Sequence, residues 1–306
     1  MKHNRTTDEL DLKLGEFRER LARLTEGIHV EECAIPSLVL FRYDQPTEPD
    51  TAVYDPSLCL LACGCKNVNM GEESFSYNSR NYLLTSLHVP TVIQVPDASP
   101  EEPCMGVMLK LDMREVAQMM AECSLPAPRT RQSEPGMTTG EVTLPLLDAV
   151  QRLVRLLDSP EDIPVMAPII RKEIIYRLLI GDQGMRLRKI ANAGSQSHQV
   201  SQAIGWLKDN FTQPLRVEEL ARQVGMSTST FHSHFRSMTA LSPLQYQKQL
   251  RLQEARRKML VDHQDAATAG FEVGYESPSQ FSREYSRLFG APPHRDISRL
   301  RQRAAS

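Results

Sequence analysis

The sequence predicts an α+β protein, with an N-terminal β-rich half flanked by helices and a C-terminal region built from helices alone. Three observations lead to this prediction. Short strand-like runs follow one another between residues 37 and 112, helical periodicity takes over near Met113, and one helical segment recurs within the last third of the chain. Many short strands at close spacing favour a small barrel or sandwich, whereas apolar residues at period 3.6 favour helices. The 306 residues are enough for two domains with a core in each.

The N-terminal half begins with a predicted helix at 10–25, where leucines recur at helical spacing. Segments rich in Pro, Gly, Asn and Asp separate the strand-like runs that follow, as expected for turns. A surface loop at 124–140 and two strong helices near 144–157 and 169–179 come next. The predicted strands lie at 38–43, 58–62, 75–77, 82–85, 89–95 and 105–111.

Composition argues against several classes of protein. No apolar run could span a bilayer and the N-terminus lacks the apolar core of a secretory signal, so we expect a cytoplasmic protein without membrane contact. The six cysteines lie among apolar neighbours and are expected to be buried thiols rather than disulfides. Cys63-Gly64-Cys65 is too tight for a usual zinc site, and a redox sensor is the minor alternative.

Charge is distributed unevenly along the chain. Residues 199–306 contain 15 Lys and Arg against 10 Asp and Glu, which leaves 21 basic and 28 acidic residues in the remainder. A balance of +5 in one region and −7 in the other fits nucleic-acid binding by the C-terminal third. The alternative explanation is a chance distribution of surface charge, so the charge balance does not by itself establish nucleic-acid binding.

The most informative pattern is an internal repeat in the C-terminal third. Leu-Ala-Arg-Gln-Val-Gly-Met-Ser at 220–227 recurs as Ala-Gly-Phe-Glu-Val-Gly-Tyr-Glu at 269–276. In each copy a small residue lets two helices cross closely, and a glycine four residues later, Gly225 or Gly274, ends the first helix in the left-handed conformation. A serine that follows can cap the next helix. Each copy therefore predicts a helix-turn-helix.

The second helix of each copy buries two aromatic side chains at i and i+4 and turns its other face towards solvent. Arg and Gln suit the major-groove edges of guanine and adenine, and Ser and Thr suit phosphates or either base. A long helix at 243–260 joins the copies, and its basic residues either form a solvated face or lie near phosphate. The predicted DNA contacts are Ser229, Thr230, His232, Ser233, Arg236, Arg251, Arg257, Ser279, Gln280, Arg283 and Arg287.

The stretch from about 200 to 299 resembles the DNA-binding domain of AraC/XylS-type regulators. The residues that carry the resemblance are Ala-x-x-x-Gly-Met-Ser at 221–227, Leu-Ser-Pro-Leu-Gln-Tyr at 241–246, and Val-Gly-Tyr-Glu-Ser-Pro-Ser-Gln-Phe-Ser-Arg-Glu-Tyr at 273–285. Ala269-Gly270 stands where the family usually has Ile-Ala, and Ala240 where glycine is usual. The departure at Ala269-Gly270 implies a looser scaffold helix in the second unit.

The N-terminal half resembles the AraC-type N-terminal domain of one subgroup of these regulators. Arg-x-x-Gln-Pro at 42–46, Val-Tyr-Asp-Pro-Ser-Leu-Cys at 53–59, Tyr-x-x-x-x-Tyr-Leu at 77–83 and Asp-Ala-Ser-Pro-Glu-x-Pro at 97–103 carry this resemblance. It implies a cupin-like barrel followed by helices that often mediate dimerisation. We therefore expect an effector-sensing and dimerisation domain at 1–190, a linker at 191–198 and the tandem helix-turn-helix domain at 199–300.

The leading hypothesis is a transcription regulator that binds double-stranded DNA as a homodimer and responds to a small effector in its N-terminal domain. RNA polymerase is a further candidate partner and activation is the expected mode, although the sequence leaves the effector, the operator and the sign of regulation open. The expected dimer seam contains Leu147, Val154, Ile170 and Leu178, with inward packing on their own barrel as the alternative. The effector-pocket candidates are Arg42, Tyr54, Cys63, Tyr82 and His88, with Cys59 and Tyr77 beside them.

The alternatives are a cupin-type enzyme fused to a DNA-binding domain and an effector-independent DNA-binding protein. A metal in a cupin-like barrel needs clustered His and Glu, yet His88 is the one histidine between residues 30 and 130. The sequence contains no phosphate-binding loop or nucleophile elbow. We therefore expect no catalysis, no metal and no cofactor. An effector-independent protein would lack a pocket in its N-terminal half.

Overall fold

A computed structural model shows layered β-sheets in the N-terminal half and helices throughout the C-terminal half. It describes the backbone of residues 2–126 and 134–304, and the side chains of 8–126 and 134–302. The strands are β1 Val30–Glu32, β2 Leu38–Tyr43, β3 Asp50–Tyr54, β4 Ser57–Cys63, β5 Cys65–Met70, β6 Glu73–Asn78, β7 Asn81–Thr85, β8 Val89–Gln94, β9 Cys104–Lys110 and β10 Met137–Glu141. The helices are α1 Lys2–Leu24, α2 Met113–Glu122, α3 Leu144–Arg155, α4 Ile163–Ile180, α5 Gly184–Ala191, α6 Gln196–Asn210, α7 Val217–Gln223, α8 Thr228–Thr239, α9 Pro243–Val261, α10 Ala266–Glu272, α11 Pro278–Phe289 and α12 Pro293–Ala304.

The described strands form two antiparallel sheets. Six strands pair in the order β1-β2-β9-β4-β7-β10, and four pair in the order β3-β8-β5-β6. The predicted α+β class is confirmed. One detail of it is corrected, because the hydrogen-bonded strands divide into two sheets rather than close into one barrel. The two sheets still enclose a common interior.

Alternate residues of the six-stranded sheet belong to two different apolar clusters. Leu58 and Leu60 of β4 pack with α1, α3 and α4, whereas Cys59 and Leu61 pack against the four-stranded sheet. Successive side chains of a strand point to opposite faces, so β4 is buried on both sides. The second cluster continues without interruption into α6, α7, α8 and the start of α9. The β-sheet interior and the first C-terminal helices therefore share one core.

The expected dimer seam is wrong in its residues. Leu147 and Val154 of α3 and Ile170 and Leu178 of α4 are at most 4% exposed within a single chain. They form the apolar stripe by which two amphipathic helices cover the six-stranded sheet. The alternative interpretation, inward packing on their own sheets, is the one that the structure shows.

The structure also adds elements that the sequence pattern did not reveal. Strands β1, β3, β5 and β10 and helix α5 were not predicted, and β10 occupies the end of the predicted loop at 124–140. Residues 127–133 of that loop lie outside the described residues. Of the predicted linker at 191–198, residues 192–195 lie outside helices.

Polar contacts hold the C-terminal helices against the four-stranded sheet. The Tyr246 hydroxyl donates to the His88 carbonyl oxygen at 2.7 Å, and the same hydroxyl lies 2.7 Å from His88 Nδ1. Lys208 Nζ lies 2.9 Å from Asp55 Oδ1, which is 3.8 Å from His88 Nε2. His88, one of the effector-pocket candidates, therefore belongs to the contact between the two halves of the chain.

The C-terminal end of α8 also meets the N-terminal half directly. The Gly136 amide donates to the Met238 carbonyl oxygen at 2.8 Å. A Cβ atom built on Gly71 would lie 2.4 Å from the Ala240 Cβ, so the turn between β5 and β6 approaches α8 as closely as glycine permits. A change in the position of this turn would therefore shift the C-terminal end of α8.

The contact at His88 predicts a dependence of stability on pH. Burial lowers the pKa of His88 to about 4, with the Lys208 charge acting in the same direction and Asp55 opposing it. The unfolded chain, in which histidine has a pKa near about 6.5, binds the proton first as the pH falls. The stability contribution is complete above about pH 6.5 and is lost as the pH falls towards about 4.

We expect the wild-type chain to lose about 2 kcal/mol more of its free energy of unfolding between pH 7 and pH 4.5 than His88→Gln does. Urea unfolding at the two pH values measures this difference, and the glutamine variant removes the titrating group. Equal losses in both proteins would show that His88 is not the group responsible.

Candidate nucleic-acid interface

The first predicted helix-turn-helix is present in α7 and α8. Helix α7 ends at Gly225, whose φ of +74° is the left-handed conformation that glycine adopts without strain. The Gly225 amide donates to the Arg222 carbonyl oxygen at 3.0 Å, and the Met226 amide donates to the Ala221 carbonyl oxygen at 2.9 Å. Ser227 then caps α8 by accepting a hydrogen bond from a backbone amide of its first turn.

The second unit repeats this geometry in α10 and α11. Gly274 has a φ of +93°, and its amide donates to the Phe271 carbonyl oxygen at 3.0 Å. The Tyr275 amide donates to the Gly270 carbonyl oxygen at 3.0 Å, and Ser277 caps α11. The repeat found in the sequence is therefore also a repeat in backbone hydrogen bonding, and both predicted units are confirmed.

Each second helix is anchored by its aromatic pair. Phe231 and Phe235 lie with ring centroids 5.4 Å apart, and Phe281 and Tyr285 lie 5.6 Å apart. All four are buried. Gly270, expected to loosen the second unit, leaves room for a ring instead, since a Cβ there would lie 3.0 Å from the Phe281 ring. Both helices thus have a fixed inner face, which determines which residues point outward.

The predicted DNA contacts on these two helices share an outward face. Arg236 and Arg287 have no carboxylate within 4.0 Å in the described part of the chain, and Arg283 contacts the Ser279 carbonyl oxygen of its own helix at 3.3 Å. Their guanidinium groups remain available to an external partner. The exposed members are Ser229, His232, Ser233, Arg236, Ser279, Gln280, Arg283 and Arg287, and Thr230 is half-buried.

Arg251 has a different role from the predicted one. Its Nε donates to the Phe211 carbonyl oxygen at 2.6 Å, and its Nη1 donates to the Gly274 carbonyl oxygen at 2.9 Å. Its Nη2 donates to the carbonyl oxygens of Thr212 and Gln213 at 3.1 and 3.0 Å. All three nitrogens of the guanidinium therefore donate to backbone carbonyl oxygens. We correct the expected DNA contact to a clamp that joins α9, the segment after α6 and the turn of the second unit.

Arg257 is also placed differently from the prediction. Its Nη2 lies 2.9 Å from Glu254 Oε1 and 3.0 Å from Asp262 Oδ2, so two carboxylates already compensate its charge. Lys258 in the same turn pairs with Glu272 at 2.6 Å. The basic residues near the end of α9 therefore form ion pairs on the helix surface, which is closer to the solvated-face interpretation than to phosphate contact.

A second polar network joins α9 to α11. Glu284 accepts hydrogen bonds from Tyr275 at 2.8 Å and Gln280 at 3.2 Å, and pairs with Lys248 at 2.9 Å. Burial opposes its ionisation, but these donors together keep the pKa of Glu284 below its ordinary value. Glu284 is therefore ionised at neutral pH and holds the outward-facing Gln280 in place.

The sequence did not single out the buried ion pair of the second unit. Asp296 is fully buried and accepts two hydrogen bonds from Arg256, at 2.8 and 3.1 Å, and one from Tyr285 at 2.8 Å. Arg256 also reaches Asp50 of β3 at 2.8 Å. Arg256 lies four residues after Leu252 and three before Met259, so helical spacing places it beside the buried face of α9, a signal that could have separated it from the exposed Arg257. This one side chain links the second unit to the N-terminal half.

The effector-pocket candidates do not converge on one site. Tyr82 donates to Asp182 at 2.8 Å and packs in the cluster with α3 and α4. Arg42 pairs with Asp44 at 2.7 Å, and the Cys63 thiol donates to the Pro103 carbonyl oxygen at 2.8 Å. Of the five, Tyr54 lies between the two sheets, where Cys59 and Tyr77 join it. The interior of the sheets is therefore the remaining candidate region.

In the part of the chain that the structure describes, no helix combines the length and the apolar character needed to cross a membrane. Among the described residues, no three His, Cys, Asp or Glu side chains come together in a group that could hold a metal ion. The six cysteines are free thiols in the structure.

Both halves of the chain match known protein families. Residues 34–186, half of the chain, match the family described as AraC-type transcriptional regulator N-terminus, and residues 220–299 match a helix-turn-helix domain. The chain belongs to the AraC-type transcriptional regulators. The resemblance noted in its sequence is thus confirmed in both halves.

Curated relatives of this AraC-type regulator are similar over part of their length. The HTH-type transcriptional regulator ArgR of Pseudomonas aeruginosa is 25% identical over 149 residues, which cover 49% of this chain and 45% of ArgR. The HTH-type transcriptional activator RhaS of Klebsiella pneumoniae is 26% identical over 155 residues, which cover 50% of this chain and 54% of RhaS. The chain spans about half the length of the curated relatives it matches.

Solved structures share the fold over most of the chain. ToxT of Vibrio cholerae, with an unsaturated fatty acid bound, has a TM-score of 0.56 at 11% identity and covers 87% of this chain and 97% of its own. A variant of apo ToxT has a TM-score of 0.55 at 12% identity, covering 85% and 97%. At this level of identity the likeness establishes the arrangement of sheets and helices.

Proposed function

We propose that this chain is a sequence-specific DNA-binding regulator of transcription that reads two neighbouring segments of one duplex. The observation that carries this proposal is the pair of matching helix-turn-helix units, each with an outward polar face. Arg236 on α8, and Arg283 and Arg287 on α11, provide cationic groups that no described carboxylate compensates. Such groups suit guanine edges and phosphates.

The spacing of the units supports binding to successive major grooves. Helix α9 contains 19 residues, which corresponds to a length of about 28 Å at 1.5 Å per residue. Helix α8 ends just before α9 begins, and α11 packs against Leu252, Ala255 and Met259 in the second half of α9. The separation is of the order of one turn of B-form DNA, roughly 34 Å.

A small effector between the two sheets is proposed to control DNA binding by the two helix-turn-helix units, which together are called the DNA reader. The sheet interior and the first helix-turn-helix share one core, and α8 meets the turns of the N-terminal half at Gly71 and Gly136. ToxT, which shares the fold, has been solved with a fatty acid, and an organic effector is proposed here by analogy. RhaS is a transcriptional activator, so we propose activation, with RNA polymerase as the partner.

The proposal is tested with the full chain and duplex DNA selected from a random library. We expect the logarithm of the dissociation constant to rise linearly with the logarithm of salt concentration, because phosphate contacts release counterions. Arg283→Ala should relax preference at individual base pairs by about 1–3 kcal/mol. Arg257→Ala is the matched control and should change little, since its guanidinium is already paired with two carboxylates.

Fluorescence anisotropy at several salt concentrations, with the selected duplex and its single-base variants, gives these values. Binding that is independent of salt would contradict the DNA-binding proposal. A uniform loss of affinity in both variants would contradict the assignment of α11 as the base-reading helix. Salt-dependent binding that no small molecule alters would favour the effector-independent alternative.

We also propose a homodimer, because a second copy raises affinity for DNA through effective concentration. The surface for it is the outer face of α4, where Val165 and Ile169 are 66% and 56% exposed. Glu161 precedes this apolar face and Lys172 follows it, so two antiparallel copies of α4 would bring opposite charges together.

Ile169→Asp should convert the dimer to a monomer, because it places a charge within the apolar contact. Leu12→Asp, at an equally exposed leucine on α1, should leave the dimer intact. Sedimentation velocity of the full chain separates the two states. A wild-type chain that sediments as a monomer at high micromolar concentration would contradict the proposed homodimer.

A further inference from the structure

The interior of the two sheets contains one charged side chain. Lys66 lies on β5 opposite Tyr77 of β6, and it points inward in alternation with Val68 and Met70. It is 5% exposed and is the single buried Lys, Arg, Asp or Glu among the described strands. A charge in such a position is expensive to bury unless something compensates it.

The neighbours of the Lys66 ammonium are aromatic rings. Its Nζ lies 4.8 Å from the ring centroid of Phe41, 5.3 Å from that of Tyr43 and 6.0 Å from that of Tyr54. In the described part of the chain no carboxylate lies within 4.0 Å of it, although every other buried cation there has one. Ring faces attract a cation, but they bring no negative charge and accept no strong hydrogen bond.

The other polar groups of this interior are neutral. Burial raises the pKa of Cys59 to about 11 and that of Cys104 to about 12, so both thiols stay protonated at neutral pH. Burial also raises the pKa of Tyr77, whose hydroxyl is buried without a hydrogen-bond partner. The region therefore combines one cation with an unused hydroxyl donor, and burial lowers the pKa of the Lys66 amine.

We propose that Lys66 anchors the carboxylate of a small, largely apolar effector bound between the two sheets. One ammonium balances a monoanion, whereas a phosphate dianion would need a second cation. The Tyr77 hydroxyl can donate to a carboxylate, and the apolar walls at Leu61, Val68 and Val89 suit a hydrocarbon or aryl tail. This inference rests on the proposed function, since it specifies the chemical class of the effector that is proposed to bind between the two sheets.

This position also connects the effector to the DNA reader. Tyr54, Tyr77 and Val68 around Lys66 belong to the same core as Phe235 and Met238 of α8. A ligand that separates the Lys66 side chain from its aromatic rings must displace residues of that core. An effector bound here would therefore favour one arrangement of α8 against the sheets over another.

The test uses the full chain with straight-chain monocarboxylates of four to twelve carbons and 4-phenylbutyrate, each matched by the corresponding primary alcohol. We expect at least one acid to raise the thermal unfolding midpoint and to bind in calorimetry, while its alcohol binds at least tenfold more weakly. Lys66→Met should weaken binding of that acid at least tenfold, and Lys66→Arg should stay within about threefold of the wild type. Binding to the wild type should weaken as the pH rises, because the lysine loses its proton, whereas binding to Lys66→Arg should not.

Lys66→Met is expected to fold, and without ligand it should unfold at a higher temperature than the wild type because an uncompensated buried charge is removed. Three outcomes would overturn the proposal: equal binding of acid and alcohol, equal binding of the acid to wild type and Lys66→Met, or no binding of any acid at millimolar concentration. DNA affinity measured on the same samples keeps the two proposals apart. Salt-dependent DNA binding together with any of these outcomes would reject the carboxylate effector at Lys66 but would still support DNA binding by the two helix-turn-helix units.

Discussion

The arrangement of the DNA-reading half depends on one guanidinium group, that of Arg251. It donates four hydrogen bonds to backbone carbonyl oxygens, three of them in the segment after α6 and one at Gly274 in the turn of the second unit. The carbonyls of Phe211 and Gln213 also accept hydrogen bonds from Gln247, at 3.0 and 2.7 Å. Hydrogen bonds to a charged donor such as Arg251 are stronger than neutral ones. A Cβ on Gly274 would lie 2.4 Å from the Thr212 carbonyl oxygen, so glycine is needed for this approach as well as for the turn itself. Arg251 thus connects α9, the segment that precedes the first helix-turn-helix unit and the turn of the second unit.

Two further contacts connect the DNA reader to the sheets. Near the start of α9, Tyr246 meets His88, and in its second half Arg256 reaches both the buried Asp296 and Asp50 of β3. Helix α9 is therefore at once the spacer between the two readers and the element that holds them against the N-terminal half. Asp296 also pairs with Arg299 at 3.1 Å, so the buried carboxylate and the two arginines form a network rather than one isolated pair. An effector between the sheets would act on the helix-turn-helix units through these contacts and through the core that the sheet interior shares with α6, α7 and α8.

Much of this arrangement follows from sequence patterns, and what does not has a physical reason. Glycines at the two turns, capping serines and aromatic residues at i and i+4 are local requirements of a helix-turn-helix, so the sequence alone predicts the repeat. Strand β5 was missed because Lys66 and its asparagines obscure the alternation of apolar residues. Arg251, Arg256 and Arg257 are the same residue type on one helix, yet one clamps backbone, one is buried with Asp296 and one is ion-paired at the surface. Partners distant in sequence decide the roles of Arg251 and Arg256, whereas the partners of Arg257 lie within five residues of it.

We infer that the junction at Arg251 and Gly274 fixes the distance between the two helix-turn-helix units. The most direct test is to measure affinity for duplexes in which the two recognised segments are separated by zero to six inserted base pairs. The wild type should lose affinity steeply with the first insertions, because a rigid pair cannot follow segments that rotate around the duplex by about 34° per base pair. Gly274→Ala should bind the original duplex more weakly and depend less on spacing, whereas Gly290→Ala, at a glycine with similar φ and open space around it, should keep the wild-type profile. A wild-type chain that tolerates every spacing equally would contradict the account.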